Sequence, residues 1–221
     1  IKALLRRKVS VKYDDIVAEI FREYPNGQTP DPCGIINVVK KYATKSNAKW
    51  KLKDEVERDC TEHTHIIYLL CSLAKKARML SFVGKREQRE YVDDTTKLVN
   101  VASLSALDNL LDIYQPEQLS RIEMVDTLWI NDNKIAAVFE VENSTDFIGA
   151  IARSSHISTE IPKFMIVPER RIKEFLNFKD PLFVQSFKDN NWRYCDFQTI
   201  QTLNTARNVT LEMILENSKE L

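Results

Sequence analysis

Residues Val125 to Thr145, with the sequence VDTLWINDNKIAAVFEVENST, are the most informative about the fold. Asp126 opens an apolar run, and Glu140 and Glu142 follow with a single valine between them. Because side chains alternate along a strand with a period of two, both glutamates leave the same face of an otherwise apolar segment. Three acids that converge on an apolar sheet repel one another. We therefore expect a cation among them, and a divalent metal ion with oxygen ligands is the simplest candidate.

Length and composition limit the class of protein. The chain has 221 residues, of which 43% are hydrophobic, enough for one large domain with a small appendage. Lys plus Arg and Asp plus Glu are equal at 32 each, so bulk charge does not support nucleic-acid binding, although it leaves room for local basic patches. Scattered cysteines and the lack of a signal peptide or long apolar run predict a reduced, soluble, cytoplasmic protein without a membrane partner. Because the chain begins with IKALLRRK rather than Met, we expect further domains upstream of Ile1.

Residues 1–58 are predicted to form a small helical N-terminal region. Apolar side chains at helical spacing predict helices over Tyr13–Tyr24 and Ile35–Ala43, with the loop PNGQTPDPCG between them. The polar run KSNAKWKLKDEVERD that follows is predicted to be a connector. We place a domain boundary there, near residue 58.

Residues 59–221 show the order helix, strand, hairpin of two strands, helix, strand. The first helix is predicted over Thr61–Met79 with Asp59 or Thr61 as its cap, and the first strand over Leu80–Val83. The sequence Asn131-Asp132-Asn133 predicts the tight turn of the hairpin. Further strands are predicted over Glu123–Ile130, Lys134–Glu142 and Lys163–Val167, with an edge strand over Trp192–Phe197, and further helices over 104–114, 144–155, 169–178 and from Leu203 onward.

With this order, the acidic positions resemble the PD-(D/E)xK nuclease superfamily. In that pattern an Asp at the start of the second strand and the first acid of a triplet in the third strand hold Mg²⁺, which are the positions of Asp126 and Glu140. The last member of the triplet is usually Lys, although some restriction endonucleases carry Glu there, as Glu142 does here. Val125 stands where the pattern has Pro. The run VDTLWIND…FEVENST…AR…PKFMIVPERR is also similar to restriction-endonuclease-like proteins with a VD-x-x-W strand before an EVE-x-(S/T)T strand.

The resemblance covers roughly residues 61–200 and implies an α/β fold with a restriction-endonuclease-like core. That core is a mixed central sheet flanked by helices in the order α-β-β-β-α-β. The implied activity is Mg²⁺-dependent hydrolysis of phosphodiester bonds in double-stranded DNA within a restriction or defence system, with Mn²⁺ as a substitute ion. Such a metal ion lowers the pKa of its bound water and neutralises charge in the transition state.

Roles for individual residues follow from the resemblance. Asp126, Glu140 and the carbonyl of Val141 would hold the metal ion, and Glu142 would orient or deprotonate the attacking water or bind a second metal ion. A further acid from the first helix often approaches such a site, and Glu62 fits by position better than Glu87.

Contacts to DNA phosphate are expected from Arg153 and Arg170, with Arg171 and Lys173 as neighbours. Such contacts give affinity and salt dependence but no choice of sequence. A homodimer is expected as well, because cutting both strands often needs two active sites.

Three alternatives stay open. The acids could lie on a solvated strand face at the edge of a sheet. The domain could be a catalytically inactive nuclease fold that binds DNA or assembles a larger protein, because Glu142 stands where a Lys is usual. It could also be a purely structural interaction domain.

A zinc site at Cys60, His63, His65 and Cys71 is disfavoured, because these residues lack the paired spacing of zinc ligands. Ordinary packing with one histidine near the acids is the favoured interpretation. Trp129 lies three residues after Asp126 and is predicted to point to the opposite face, into the core.

Overall fold

The structure is a computed structural model that describes residues 1–8, 10–24, 30–93, 95–143 and 147–221. The chain divides into two compact units, Ile1–Glu62 and His63–Leu221. The assignment of residues 1–58 and 59–221 to functional domains stays a prediction. Within the described ranges, no helix combines the length and the apolar character needed to cross a membrane.

The first unit alternates short helices with a three-stranded antiparallel sheet of order β1-β3-β2. Its elements are α1 (Lys2–Lys8), β1 (Val11–Lys12), α2 (Tyr13–Glu23), α3 (Pro32–Tyr42), β2 (Ala43–Ser46), β3 (Lys49–Leu52) and the beginning of α4 (Asp54–Lys76). The two predicted helices are therefore confirmed as α2 and α3. The region is not only helical, however, and part of the predicted loop between α2 and α3 lies outside the described residues.

The segment predicted to be a connector is instead a hairpin followed by a helix. Trp50 and Leu52 alternate with exposed lysines along β3, which is the period-two pattern of a half-buried strand. Asn47 and Ala48 both have positive φ, 47° and 61°, as the two-residue turn of a tightly twisted hairpin requires. The prediction of a connector was wrong because the alternation of buried and exposed residues is short and its exposed positions are lysines, which made the segment look uniformly polar.

Helix α4 begins at Asp54, seven residues before the predicted start at Thr61. The charged residues before Thr61 include Glu and Arg, which are good helix formers, so nothing stops the helix there. Thr61 lies inside the helix and donates its hydroxyl to the Glu57 carbonyl, one turn earlier. It therefore does not cap the helix, and neither does Asp59.

The second unit contains the rest of α4 and a five-stranded sheet of order β4-β5-β6-β7-β8. β4, β5 and β6 are antiparallel, whereas β6, β7 and β8 are parallel. The elements are β4 (Leu80–Val83), α5 (Leu98–Val101), α6 (Pro116–Ile122), β5 (Thr127–Asn131), β6 (Lys134–Val141), α7 (Phe147–Arg153), β7 (Lys163–Val167), α8 (Ile172–Leu176), α9 (Pro181–Asp189), β8 (Trp192–Asp196), α10 (Phe197–Thr205) and α11 (Leu211–Glu216).

This arrangement confirms a mixed sheet flanked by helices, with β8 at an edge. β5 starts at Thr127 rather than Glu123, because Glu123–Asp126 form the turn after α6. The helix predicted over 104–114 is wrong, since that segment holds turns and a single 3-10 turn, Asp108–Leu110. The predicted helical tail is split into α10 and α11, and the predicted cap residues of α7 at 144–146 lie outside the described part of the chain.

Two apolar layers cover the sheet. Helix α4 packs on one face through a buried stripe that includes Ile66, Leu70 and Leu73. Trp129 lies in this layer and donates its indole N–H to the Leu70 carbonyl at 3.1 Å, which confirms its predicted place in the core. On the other face of β7 and β8 a largely aromatic cluster packs against α7, α8 and α9.

Candidate active site

The hairpin β5–β6 brings the predicted acids together. Asp132 and Asn133 have φ of 48° and 56°, which confirms the predicted tight turn. Thr127 pairs with Phe139 across the two strands, so Asp126 comes level with Glu140. Glu142 follows β6 directly and donates its backbone N–H to the Ile166 carbonyl at 2.9 Å, which continues the pairing with β7.

All three carboxylates are buried. Relative exposure is 3% for Asp126, 0% for Glu140 and 7% for Glu142. β6 is the middle strand of the sheet rather than an edge strand. The alternative of a solvated strand face at a sheet edge is therefore wrong, because these acids have lost most of their water.

Asp126 is held by two groups that both contact Oδ2. The backbone N–H of Val141 donates to it at 2.8 Å, and His63 Nε2 from α4 lies 3.3 Å away. Burial opposes ionisation of Asp126, but the hydrogen bond and charge of His63 outweigh it, so the pKa of Asp126 is lowered. The same partnership raises the pKa of His63 against the effect of its own burial. The Asp126 carboxylate is therefore stabilised in its ionised form although it is buried.

Glu140 is paired with a cation from the chain itself. Arg153, at the end of α7, donates Nε to Oε1 at 3.0 Å and Nη2 to Oε2 at 2.7 Å. Burial nevertheless raises the pKa of Glu140 well above its ordinary value, and the neighbouring Asp126 adds to the effect. Glu140 therefore depends on Arg153 for its negative charge.

A tight turn after β4 adds a fourth acid, Glu87. The backbone N–H of Glu87 donates to the Gly84 carbonyl at 2.9 Å, and Gly84 in turn donates its own N–H to the Asp126 carbonyl at 3.1 Å. A Cβ at position 84 would overlap the backbone carbonyl of Val125, so only glycine allows this approach. The turn thus sets Glu87 beside Asp126.

The Glu87 carboxylate is strained electrostatically. Its Oε2 is buried without a hydrogen-bond partner. Burial raises the pKa of Glu87 to about 7, and the charge of Asp126 contributes in the same direction. A buried acceptor without a donor is costly, so this oxygen is suited to an additional cation or donor.

One group of ligand atoms within the described residues could hold a metal ion. Single atoms of His63, Glu87 and Asp126 all lie within 4.8 Å of one another. Glu140 and Glu142 lie close enough for their charges to act on each other. We call Glu87, Asp126, Glu140 and Glu142 the acidic cluster.

The remaining predicted residues are placed as follows. The backbone N–H of Val141 donates a hydrogen bond to Asp126. Contact between the Val141 carbonyl and a metal ion stays a prediction. Glu62 directly precedes His63 in the middle of α4, and its part in the chemistry also stays a prediction. Arg170 is exposed in the 3-10 turn after β7, whereas Arg153 is only 17% exposed and engaged with Glu140.

The described residues do not support the zinc site. His63 faces Asp126, His65 is exposed beside Tyr68, and Cys71 is buried with a thiol pKa raised to about 12 by burial. The Cys60 side chain lies outside the described atoms. The expectation of one histidine near the acids is confirmed, and it is His63.

The structure places Glu87 beside Asp126, whereas the sequence favoured Glu62 as the further acid and gave no role to Gly84. The usable signal was the combination of a glycine at a strand end with an acid three residues later, which is the pattern of a tight turn. Such a turn can return a carboxylate toward the strand. The long-range partner, Asp126, could not be read from that local pattern.

Comparison with known proteins gives one match. The family described as "Type II restriction enzyme NmeDI C-terminal domain" matches residues 44–217. Neither the curated proteins nor the solved structures provide a significant match. Since the match spans most of the chain, this protein belongs to the family of the Type II restriction enzyme NmeDI C-terminal domain.

Proposed function

We propose that this protein is a Mg²⁺-dependent endonuclease that hydrolyses phosphodiester bonds of double-stranded DNA in a restriction system, with Mn²⁺ as a substitute ion. Membership in a Type II restriction enzyme family supports the reaction class and DNA as the partner. The observation that carries the proposal is the convergence of three buried acids and the half-buried Glu87 at one end of the sheet, where Glu87 and Asp126 also form a possible ligand group with His63. The sequence resemblance to PD-(D/E)xK nucleases, in an E-x-E form, points to the same residues.

The residues at the site fit a divalent cation. Asp126 and Glu87 offer carboxylate oxygens, which Mg²⁺ and Mn²⁺ favour, and Glu87 Oε2 is buried without a donor. A metal ion held there would supply a water of lowered pKa and neutralise charge on the phosphate. His63 keeps Asp126 oriented by its contact to Oδ2, as outer partners of metal ligands commonly do.

Glu142 is the residue we assign to proton transfer. It is buried, its charge acts on the neighbouring Glu140, and a positioned carboxylate can accept a proton from an attacking water. Glu140 would become available as a further metal ligand once Arg153 turns away from it toward a DNA phosphate. Arg170 would contribute a second phosphate contact from the surface.

The second candidate is a nuclease-fold module that binds DNA without cutting it. Arg153 already neutralises Glu140 through both carboxylate oxygens, as a metal ion otherwise would. Glu142 also stands where the resembling enzymes usually carry Lys. These two features favour DNA binding without cleavage. Whether the protein binds Mg²⁺ or Mn²⁺ therefore distinguishes the two candidates.

Plasmid cleavage with Mg²⁺ separates the candidates. We expect Asp126→Asn and Glu140→Gln to abolish cleavage, and Glu142→Gln to reduce its rate about 100-fold or more, since a general base contributes that much. Asp112→Asn, an exposed aspartate, is the matched control and should cleave as the wild type does. Cleavage that survives both Asp126→Asn and Glu140→Gln together contradicts the assignment.

Calorimetric titration with Mg²⁺ and Mn²⁺ provides the readout that does not depend on activity. We expect binding by the wild type and by Asp112→Asn, and loss of binding by Asp126→Asn. If the wild type binds DNA but neither ion, the non-cutting module is the function. Sedimentation with and without a DNA duplex tests the expected homodimer.

A further inference from the structure

Charge is distributed very unevenly along the chain, although its total is zero. Residues 1–53 contain twelve Lys and Arg against five Asp and Glu, a net charge of +7, so the remainder carries −7. Residues 32–53 hold six lysines and no acid. The acids of residues 1–53 lie on α2, apart from Asp31 at the start of α3. Within the first unit, Ile1–Glu62, the elements without acids are α1, β1, α3 and the hairpin β2–β3, and five further acids lie at the beginning of α4.

The order of elements in the first unit is α1-β1-α2-α3-β2-β3, and its sheet order is β1-β3-β2. Two successive helices followed by a two-stranded hairpin that pairs with a short early strand is the winged helix-turn-helix arrangement. In helix-turn-helix proteins the second helix enters the DNA major groove, and its first turns reach the base edges. Here that helix is α3, and the hairpin β2–β3 is the wing.

Helix α3 has one buried and one exposed face. Ile35 and Val39 point into the core of the unit, with relative exposures of 4% and 0%. Cys33, Asn37 and Lys41 are exposed at intervals of four residues, so they share the outer face of the helix. An asparagine can bond adenine and a lysine can bond guanine in the major groove, so this face carries side chains suited to reading bases.

The exposed side chains of the wing are suited to phosphate contacts rather than base contacts. Lys45, Lys49 and Lys51 are exposed along β2 and β3, and Lys12 of β1 pairs opposite Lys49. Trp50 and Leu52 on the same hairpin are buried, so the strands are fixed to the core while the lysines face water. Several lysines on a rigid ribbon without acids on it suit a polyanionic backbone.

We propose that residues 1–53 form a DNA-recognition module in which α3 enters the major groove and the β2–β3 wing contacts the phosphates. This deepens the proposed function, because the module would select the DNA that the acidic cluster cuts. Helices α1, α2 and α3 lie outside the segment matched by the restriction enzyme family, so that match does not imply the module.

The first test is binding of the full chain to a labelled double-stranded DNA pool of random sequence, with EDTA present so that nothing is cut. We expect the triple variant Lys40→Gln, Lys49→Gln, Lys51→Gln to bind about tenfold more weakly or worse at physiological salt, with the slope of log affinity against log salt reduced by about 2–3. A matched triple variant, Lys75→Gln, Lys134→Gln, Lys188→Gln, removes the same charge from exposed positions of the second unit. It should bind as the wild type does.

Equal losses in the two triple variants, or no loss in either, would overturn the proposal. Circular dichroism of each variant checks the fold, and unfolding is not expected at exposed lysines. The double variant Lys40→Gln, Lys49→Gln repeats the test with a smaller change and should show about two-thirds of the reduction in slope. Both triple variants should bind Mg²⁺ in calorimetric titration as the wild type does, so a failure of the nuclease assignment is seen separately from a failure of this module.

The second test concerns sequence choice. Selection of preferred duplexes from the random pool should enrich an adenine-containing site with the wild type, and Asn37→Ala should lose the preference at that adenine while keeping most of its affinity for the pool. Identical enriched sites for both proteins would overturn the assignment of α3 to base reading. Enrichment of single-stranded over double-stranded ligands would overturn the proposal as a whole.

Discussion

Both ends of the β6–β7 pair bury charge, but in opposite ways. At one end Lys163, 1% exposed, donates Nζ to the carbonyls of Ser158, Ile161 and Asn190 at 2.8, 3.1 and 3.1 Å. At the other end the acidic cluster brings carboxylates together, and one oxygen of Glu87 has no hydrogen-bond partner. The lysine is satisfied by the backbone, whereas the acids still repel one another.

This contrast separates structural from functional burial of charge. A buried group with all its partners present stabilises a single arrangement and needs nothing further. Buried like charges raise the free energy of the folded state unless a cation joins them, and perturbed pKa values of this kind concentrate at functional sites. The acidic end is therefore where we propose that this protein accepts a metal ion.

The largest expected effect concerns the Glu140–Arg153 pair. Arg153→Met leaves the buried Glu140 without its cation and should lower the free energy of unfolding by about 3–5 kcal/mol, measured by urea denaturation. Adding Glu140→Gln to that variant should restore most of the loss. Arg22→Met breaks an exposed pair with Glu19 and serves as the control, with a change of about 0.5 kcal/mol or less. A small effect of Arg153→Met would mean that the pair is not what balances Glu140.

Gly84→Ala tests how the acidic end is assembled. The added Cβ would overlap the Val125 carbonyl, so the turn and the strand must separate, at a cost of about 2–3 kcal/mol in unfolding free energy. Metal binding should weaken as well, because Glu87 and Asp126 are both positioned through this turn. Gly34→Ala is the control: its Cβ would meet the Asp31 side chain, which can move, and little change is expected. Unaltered metal affinity in Gly84→Ala would argue against Glu87 as a ligand.

Lys163→Met tests the other end of the strand pair. Removing the ammonium leaves buried carbonyls with fewer donors and should lower the unfolding free energy by about 1–3 kcal/mol. DNA cleavage and metal binding by the folded variant should equal those of the wild type. A change in either would show that the two ends are coupled and would weaken the contrast drawn between them.

The last expected effect has the opposite sign, because it is a gain in stability. The pKa of Glu87 is raised from 4.5 to about 7, so between these values the folded protein keeps a proton that the unfolded chain releases. The contribution of Glu87 to the free energy of unfolding therefore falls as pH rises through that window. In EDTA, Glu87→Gln should be about equal to the wild type near about pH 4.5 and more stable by about 3 kcal/mol above about pH 7.

Urea denaturation of both proteins across that range measures the difference. Glu117→Gln, an exposed acid on α6, is the control and should show no such trend. A wild type that is more stable than Glu87→Gln above neutral pH would mean that the carboxylate is not strained.

Much of the second unit could be predicted from sequence. Continuous apolar runs predicted β4, β6 and β7, and Asn131-Asp132-Asn133 predicted the hairpin turn, because local backbone preference and burial agree at these places. The period-two spacing of Glu140 and Glu142 predicted their shared face correctly. The helix prediction for residues 104–114 was wrong. Their apolar residues are typical of a helix, but in the structure they pack in irregular turns.

Local sequence is enough to predict the three acids and the hairpin that aligns them, since both depend on neighbours in the chain. Burial of the acids, the contacts of His63 and Glu87 with Asp126, and the pairing of Arg153 with Glu140 come from tertiary packing. Those contacts link separate helices and turns, and they depend on how the elements pack rather than on any local pattern. The same holds for the exposed lysines of the first unit, because pairing of β1, β2 and β3 is what sets Trp50 inward and the lysines outward.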